Sequence, residues 1–316
     1  MPPEKPFFSI VCTTHNRAKL LLRAVNSVLR QEFKDFELII VNDGSTDETC
    51  NVLNTFKDRR IICLEHPNAL GLNAARNTGI MKARGKLIAF LDDDDELSDS
   101  ALEIAVETYR NLHNDRVKML IFNIVDFETS LVSGENLGKR MIITFQDLLC
   151  RKLTVDHWIV VDRDILPKNS VFDERAVGGA LPLWIRLLRS YDAYYVPVIL
   201  YYAYRIHGMD RMDHAKFKFE KSKECEYYFS ELLKEFGAEM KCSCPKVFSK
   251  YSAELAFWQM INKNFRLAQI TLFLSIRANF SYDCLALFLL SFFGNKNIVK
   301  NAFRLRVVLI NFFGKF

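Results

Sequence analysis

Lys86-Leu87-Ile88-Ala89-Phe90-Leu91-Asp92-Asp93-Asp94-Asp95-Glu96 joins an apolar run to five consecutive acids. The apolar half reads as a buried strand, so the acids stand at its carboxyl end. Carboxylates crowded there repel one another, and a divalent cation is the simplest means of neutralising them. Aspartate oxygens are hard donors, which favours Mg2+ or Mn2+ over metals of softer sites. The plainer alternative is a solvated acidic loop capping the next helix, with Ser98 as N-cap ahead of Ala101-Leu102-Glu103-Ile104 and with Asp99 and Glu103 in its first turn. Capping does not need five acids.

Three more apolar runs precede this one: Phe8-Ser9-Ile10-Val11-Cys12, Phe36 to Val41 and Ile61-Ile62-Cys63-Leu64. Helical patterns lie between them. Arg17 to Arg30 gathers Leu21, Leu22, Val25, Val28 and Leu29 on one face, Ser45-Thr46-Asp47-Glu48 reads as the start of a second helix, and Asn73 to Ala83 as a third. Strand-helix alternation predicts an α/β doubly wound sheet whose ligand crevice lies beyond the carboxyl ends of the strands. The distinctive polar residues fall at those ends: Thr13-Thr14-His15-Asn16-Arg17, Asn42-Asp43-Gly44-Ser45 and the acidic run. No Gly-x-Gly-x-x-Gly follows the first strand and no Walker-type Gly-Lys-Ser/Thr occurs, which disfavours a dinucleotide or P-loop site. Further strands are expected at Met119 to Val125, Trp158 to Val161 and Ile199 to Ile206, with helices at Leu181 to Ser190 and His214 to Phe236.

With 316 residues, half of them hydrophobic, the chain can bury a sizeable core. The first residues lack the apolar centre of a signal peptide, and no run reaches the roughly 18 apolar residues of a spanning helix. A cytoplasmic protein is expected, with its eight cysteines reduced. Cys242-Ser243-Cys244 lacks the second ligand pair that a zinc site needs. From Lys246 onward ten Lys or Arg face two acids, a net of +8, which leaves −3 for residues 1–245. That tail also carries 12 of the 26 phenylalanines and reads as successive helices. It is either an appendage packed on the main domain or an interfacial element meeting anionic lipid at the inner face of the cell membrane. Nucleic acid is not an expected partner.

Five motifs occur in order over residues 7–97: Thr13 to Arg17, Ser27-Val28-Leu29-Arg30-Gln31, Ile39 to Asp47, Gly71-Leu72-Asn73-Ala74-Ala75-Arg76-Asn77-Thr78-Gly79, and Phe90 to Glu96. Together they resemble the family 2 glycosyltransferases of GT-A fold. The resemblance implies an α/β, doubly wound mixed sheet flanked by helices, with a helical C-terminal appendage. Residues 1–245 would form the transferase domain, 1–115 being its nucleotide-binding half and 116–245 its acceptor-side half, and 246–316 the basic appendage. It further implies an inverting enzyme using a nucleotide-diphosphate sugar, a UDP-sugar being expected, together with Mn2+ or Mg2+. Asp92-Asp93-Asp94 fills the Asp-x-Asp motif, with Asp94 as metal ligand, Asp92 on the ribose or a metal-bound water, and Asp93 within the donor site. Asp43 matches the carboxylate that binds the nucleobase. Thr13 and Asn16 would line the nucleotide, and Arg76 would reach the diphosphate or order the acids.

Inversion needs a base for the acceptor hydroxyl. By resemblance that base belongs in an acid pair between Phe172-Asp173-Glu174 and Leu183-Trp184-Ile185-Arg186, yet this chain has Gly179-Ala180 there. Asp173, Glu174 or Asp156 could serve instead, the chain could bind without turnover, or the correspondence could shift in this variable half. Tyr204-Arg205-Ile206-His207 resembles a late segment whose histidine joins the metal, so His207 is a second expected ligand and Arg211 a diphosphate contact. The expected function is sugar transfer to a glycan or lipid-linked acceptor in surface polysaccharide synthesis. The alternative is a non-catalytic nucleotide-sugar-binding homologue that scaffolds an active transferase.

Overall fold

The structure, a computed structural model, describes residues 5–154, 156–169, 171–176, 179–204, 219–280 and 282–292. The four expected strands form as β1 (Phe8–Thr14), β2 (Phe36–Asp43), β3 (Ile61–His66) and β4 (Leu87–Asp92), all parallel in the order β3-β2-β1-β4. All eight residues of β2 are buried, which explains its unbroken apolar run Leu38-Ile39-Ile40-Val41.

The sheet continues through β5 (Glu96–Leu97), β6 (Val117–Asp126), β9 (His157–Asp162) and β10 (Asp192–Ala203) in the order β4-β9-β6-β10-β5. Two short strands add to it, β7 (Val132–Ser133) on β6 and β8 (Met141–Ile143) on β10. Because β9 is antiparallel to both β4 and β6, β6 runs in the same sense as β4, and β10 is parallel to β6. The carboxyl ends of β1, β2, β4, β6 and β10 therefore share one edge. Trp158 of β9 anchors the core: its ring stacks 6.3 Å from Phe8, lies 5.8 Å from Phe122, and donates from Nε1 to the Phe90 carbonyl at 3.1 Å.

Flanking helices are α1 (Ala18–Leu29), α2 (Thr49–Thr55), α3 (Leu72–Lys82), α4 (Ala101–Arg110), α5 (Phe145–Leu149) and α6 (Leu181–Leu187). In α1 the buried set Leu21, Ala24, Val25 and Val28 has the expected spacing. Gln31, fully buried, donates to the Ser27 and Ser98 carbonyls and accepts from the Leu102 amide, tying α1 to the start of α4. Two expected caps differ. Ser98 does not cap α4, which starts after Ser100. Ser45 does not open α2, which begins at Thr49 where Asp47 accepts from the Thr49 amide; the Ser45 hydroxyl instead accepts from the Asn16 amide. β10 starts at Asp192, seven residues before the expected Ile199, its tyrosines suiting a pleated, half-buried surface.

The chain divides into two compact units. The sheet and its helices form one; Leu149–Arg151, Arg175–Gly179 and the chain from Asp210 form the other. The boundary thus precedes residue 245, and α7 (Ser222–Ser243) groups with α8 (Pro245–Ile261), α9 (Phe265–Ala278) and α10 (Tyr282–Ser291). In this second unit Ala256, Phe257, Trp258 and Met260 of α8 pack with Ala268 and Leu272 of α9 and with Cys284. No helix among the described residues is long and apolar enough to cross a membrane.

The expectation of reduced cysteines needs correction for one pair. Cys150 and Cys244, 94 residues apart in sequence, form a disulfide within the second unit, while Cys12, Cys50, Cys63, Cys225, Cys242 and Cys284 form none. Spacing gives no sign of this pair, because the contact is made only once the short segment Leu149–Arg151 joins the helices. Peptide mapping without reductant should recover a Cys150–Cys244 crosslinked peptide, and Cys150→Ser should cost on the order of 2–5 kcal/mol in a denaturant titration. Recovery of both cysteines as free thiols from oxidised protein would contradict the pairing.

Candidate active site

The end of β4 is held by β10. The Asp92 amide donates to the Tyr201 hydroxyl at 3.2 Å, and that hydroxyl donates to Asp95 Oδ2 at 2.8 Å. Asp95 Oδ1 accepts from the Tyr204 amide at 2.8 Å. Asp95 therefore clamps the loop from inside rather than facing a ligand. Its burial, with the charges of Asp92 and Asp94, pushes its pKa up to about 7. Asp93 is likewise raised to about 7, by burial first and by Asp94 and Asp92 as well, with Thr14 and Arg17 opposing.

Three arginines surround the acids. Arg17 Nη1 lies 2.7 Å from Asp94 Oδ2 and 3.4 Å from Asp93 Oδ1. Arg23 donates to the Asp94 carbonyl and lies 3.9 Å from Glu96. Arg76 Nη2 reaches Asp92 Oδ1 at 3.3 Å, with its guanidinium 5.5 and 5.7 Å from the rings of Phe90 and Phe172. Asp92 keeps a half-exposed side chain, the most open of these contacts, and the β1–β4 register sets Thr13 beside it. Arg17 closes a motif visible in the sequence but was not among the expected site residues. Arg23 carries no signal beyond helical position, since only folding turns α1 toward the acids.

At the other end of the crevice Asp43 sits directly across from His66 in the β2–β3 register. Its Oδ1 accepts from His66 Nδ1 at 2.7 Å and from the Leu70 amide at 2.8 Å, and its Oδ2 from the Gly71 amide at 2.8 Å. Burial raises the Asp43 pKa, but these donors outweigh it and hold the carboxyl below its ordinary value. His66 Nε2 in turn lies 2.9 Å from the Thr78 hydroxyl. Asp43 thus builds the Leu70–Gly71 turn and has little acceptor capacity left for a ligand. Gly44, at φ +64, is needed beside it: a Cβ there would lie 2.4 Å from the backbone of Asn68 and Ala69. Asn16, also left-handed at φ 54, accepts on Oδ1 from the Thr46 and Asp47 amides at 2.7 and 3.3 Å. Its exposed carboxamide clasps the loops after β1 and β2 together.

Beyond Arg76, α3 also holds the Phe172–Glu174 turn. Asn77 exchanges two hydrogen bonds with the Phe172 backbone and donates to Glu174 Oε1 at 2.9 Å, while Asn73 donates to the Asp173 carbonyl at 2.8 Å. Asp173 and Glu174 are both exposed. Within the second unit Gly179 adopts φ +78, and a Cβ there would come 2.3 Å from the Tyr228 ring, so no acid fits at that position. His207 and Arg211 lie outside the described residues. Among the described residues no three His, Cys, Asp or Glu side chains converge as a metal cage. The donor set still fits a hard divalent ion by type: Asp92 and Asp94 offer carboxylate oxygens, and an ion of the Mg2+ kind commonly takes one or two of these plus substrate phosphates.

A mixed sheet with this crevice at its carboxyl edge defines a GT-A type transferase fold. Residues 9–166, half the chain, match Glycosyl transferase family 2, and the chain belongs to that family. It is 29% identical to the GalNAc(5)-diNAcBac-PP-undecaprenol beta-1,3-glucosyltransferase of Campylobacter jejuni, across 96% of this chain and 99% of that one. A UDP-Glc:alpha-D-GlcNAc-diphosphoundecaprenol beta-1,3-glucosyltransferase, WfaP of Escherichia coli, is 41% identical over 28% of this chain and 35% of its own. Among solved structures, S. aureus TarS in complex with UDP-GlcNAc superposes with a TM-score of 0.59 at 15% identity, covering 94% of this chain and 91% of that one. The mannosyltransferase PcManGT of Pyrobaculum calidifontis, in complex with GDP-Man and Mn2+, gives 0.56 at 14% identity, covering 95% and 88%. These two show shared fold.

The raised carboxyls make the metal-free protein pH-sensitive. Asp93 and Asp95 hold protons in the folded chain up to about pH 7 but lose them near 3.8 when unfolded, so stability falls as pH rises through that window. In chelator-treated protein Tm should decline from about pH 4 to about pH 7, and Asp95→Asn should flatten the decline. A profile unchanged by that substitution would show that Asp95 does not titrate as described.

Proposed function

We propose that this glycosyltransferase is an inverting, metal-dependent enzyme that moves glucose from UDP-glucose to an N-acetylhexosamine of a polyprenyl-diphosphate-linked glycan. The acid loop carries this reading: four aspartates at the end of β4, fixed by Arg17, Arg76 and Tyr201, on the edge where the carboxyl ends of β1 and β2 also lie. The glucose, the β linkage and the diphosphoundecaprenol carrier are supported by the printed activities of the two bacterial relatives. Since UDP-glucose is α-linked, a β product requires inversion.

Asp94 and Asp92 would hold Mn2+ or Mg2+, and the bound ion would offset charge on the departing diphosphate as a Lewis acid. Arg17 orients Asp94, and Arg76, flanked by Phe90 and Phe172, orients Asp92. Thr13 lies beside Asp92 to meet the nucleotide, and the Asp43-held turn with the Asn16 clasp shapes the nucleoside end. For the proton of the acceptor hydroxyl, Glu174, steadied by Asn77 at Oε1, is the candidate base, with Asp173 adjacent.

Asp94→Asn should lower UDP-glucose turnover in Mn2+ at least about 100-fold, and Glu174→Gln should lower kcat without weakening UDP binding. Full turnover in Asp94→Asn would refute the metal assignment. UDP binding without transfer to any acceptor would instead indicate the scaffolding homologue.

A lipid-linked acceptor also calls for contact with a bilayer. On α9 the exposed Leu267, Ile270, Phe273 and Leu274 recur at helical spacing, Lys263, Arg266 and Arg277 are exposed nearby, and α9 has no acid. This face suits an anionic monolayer. Vesicles rich in phosphatidylglycerol should sediment the full-length protein, and Leu267→Glu with Phe273→Glu should reduce that binding about tenfold or more. Equal sedimentation of both proteins would exclude this face.

A further inference from the structure

Phe127 and Leu131 are 55% and 58% exposed, although the turn that presents them is tightly built. The buried Asp126 accepts from the Thr129 amide and hydroxyl, each at 2.8 Å. The Asp126 amide donates to the Leu131 carbonyl at 2.9 Å, and the Phe127 amide donates to Ala203 at 2.9 Å, the last residue of β10. Ser130 takes φ 57 to close the turn. Isolated exposed apolar residues are ordinary, but this pair is rigidly held and Phe127 belongs to a stack. Its ring lies 4.4 Å from that of Tyr204 at 23°, the Arg23 guanidinium covers Tyr204 at 3.6 Å, and Tyr202 meets Phe127 edge-on at 6.4 Å.

The stack leads to the acid loop. Tyr204 donates its amide to Asp95, and Arg23 bonds the Asp94 carbonyl. Since β6 runs in the sense of β4, Phe127 emerges on the same edge as the acids, two stacking steps from Arg23. Placement there gives an exposed aromatic ring on the edge of the acid loop, with a polar border in the Tyr204 hydroxyl and Glu96, which hydrogen-bond each other.

We propose that Phe127, backed by Tyr204 and flanked by Leu131, is the platform on which a hexopyranose ring of the glycan acceptor stacks, a subsite that rests on the transferase reading above. A pyranose offers an apolar C–H face whose hydrogens complement the negative face of an aromatic ring, and its rim hydroxyls stay free for polar neighbours. Arg23 beneath Tyr204 stiffens the stack and joins the position of this shelf to that of the acids. A lipid chain would have no use for the polar border.

Saturation-transfer NMR on the full-length protein with GlcNAc- and GalNAc-terminated trisaccharides tests this, with calorimetric titration of UDP-glucose alongside. Wild type should saturate the ring protons, Phe127→Ala should weaken trisaccharide binding about tenfold, and Phe127→Tyr should restore it with UDP-glucose affinity unchanged throughout. Equal trisaccharide binding by wild type and Phe127→Ala, or none by wild type, overturns the platform. So does a Phe127→Ala defect confined to phosphatidylglycerol vesicles. Phe127-dependent saccharide binding without UDP-glucose binding would support the platform and reject the donor assignment instead.

Discussion

Everything near the crevice depends on containing the charge of Asp92 to Glu96. Two like charges 4 Å apart repel by about 4 kcal/mol at an effective dielectric of 20, so four aspartates at one strand end need partners. The fold supplies them from four directions: Arg17 at the start of the first crossover, Arg23 further along α1, Arg76 on α3, and the Tyr201 hydroxyl of β10 with the Tyr204 amide just beyond it. Containment is incomplete, since burial and mutual repulsion still raise Asp93 and Asp95 to about 7.

Similar contacts tie together loops distant in sequence. The Asp43 carboxylate joins the end of β2 to the turn before α3, and α3 then carries Arg76 to Asp92 and uses Asn73 and Asn77 to fix the Phe172–Glu174 turn. Disturbance at Asp43 would therefore reach the acids through α3 without a direct contact. The aromatic stack from Arg23 to Phe127 extends this framework toward the exposed turn after β6.

Much of the first half was legible because parallel strands buried on both faces leave long apolar runs, with polar residues displaced to their ends. The strand positions of β1 to β4, the helical face of α1 and the grouping of Asn16, Asp43 and the acids all follow from that periodicity. What each side chain touches did not. Asn16 and Asp43 were expected to meet a nucleotide, and both are largely engaged in holding loops; Asp95 looked like its neighbours and is an internal clamp. Hydrogen-bond partners separated by 27 to 109 residues leave no local trace.

By itself the sequence determined the parallel α/β half, the acid loop at a strand's end, and the absence of an acid at residues 179 and 180, since these are matters of residue type and period. Tertiary structure alone decided which carboxylates are paired, which one faces inward, that Cys150 meets Cys244, and that Tyr228 excludes a side chain at Gly179. The physical reason is common to all four. Ion pairing, burial and steric exclusion act through a few ångströms of space, and only the folded path brings such separated residues within that range.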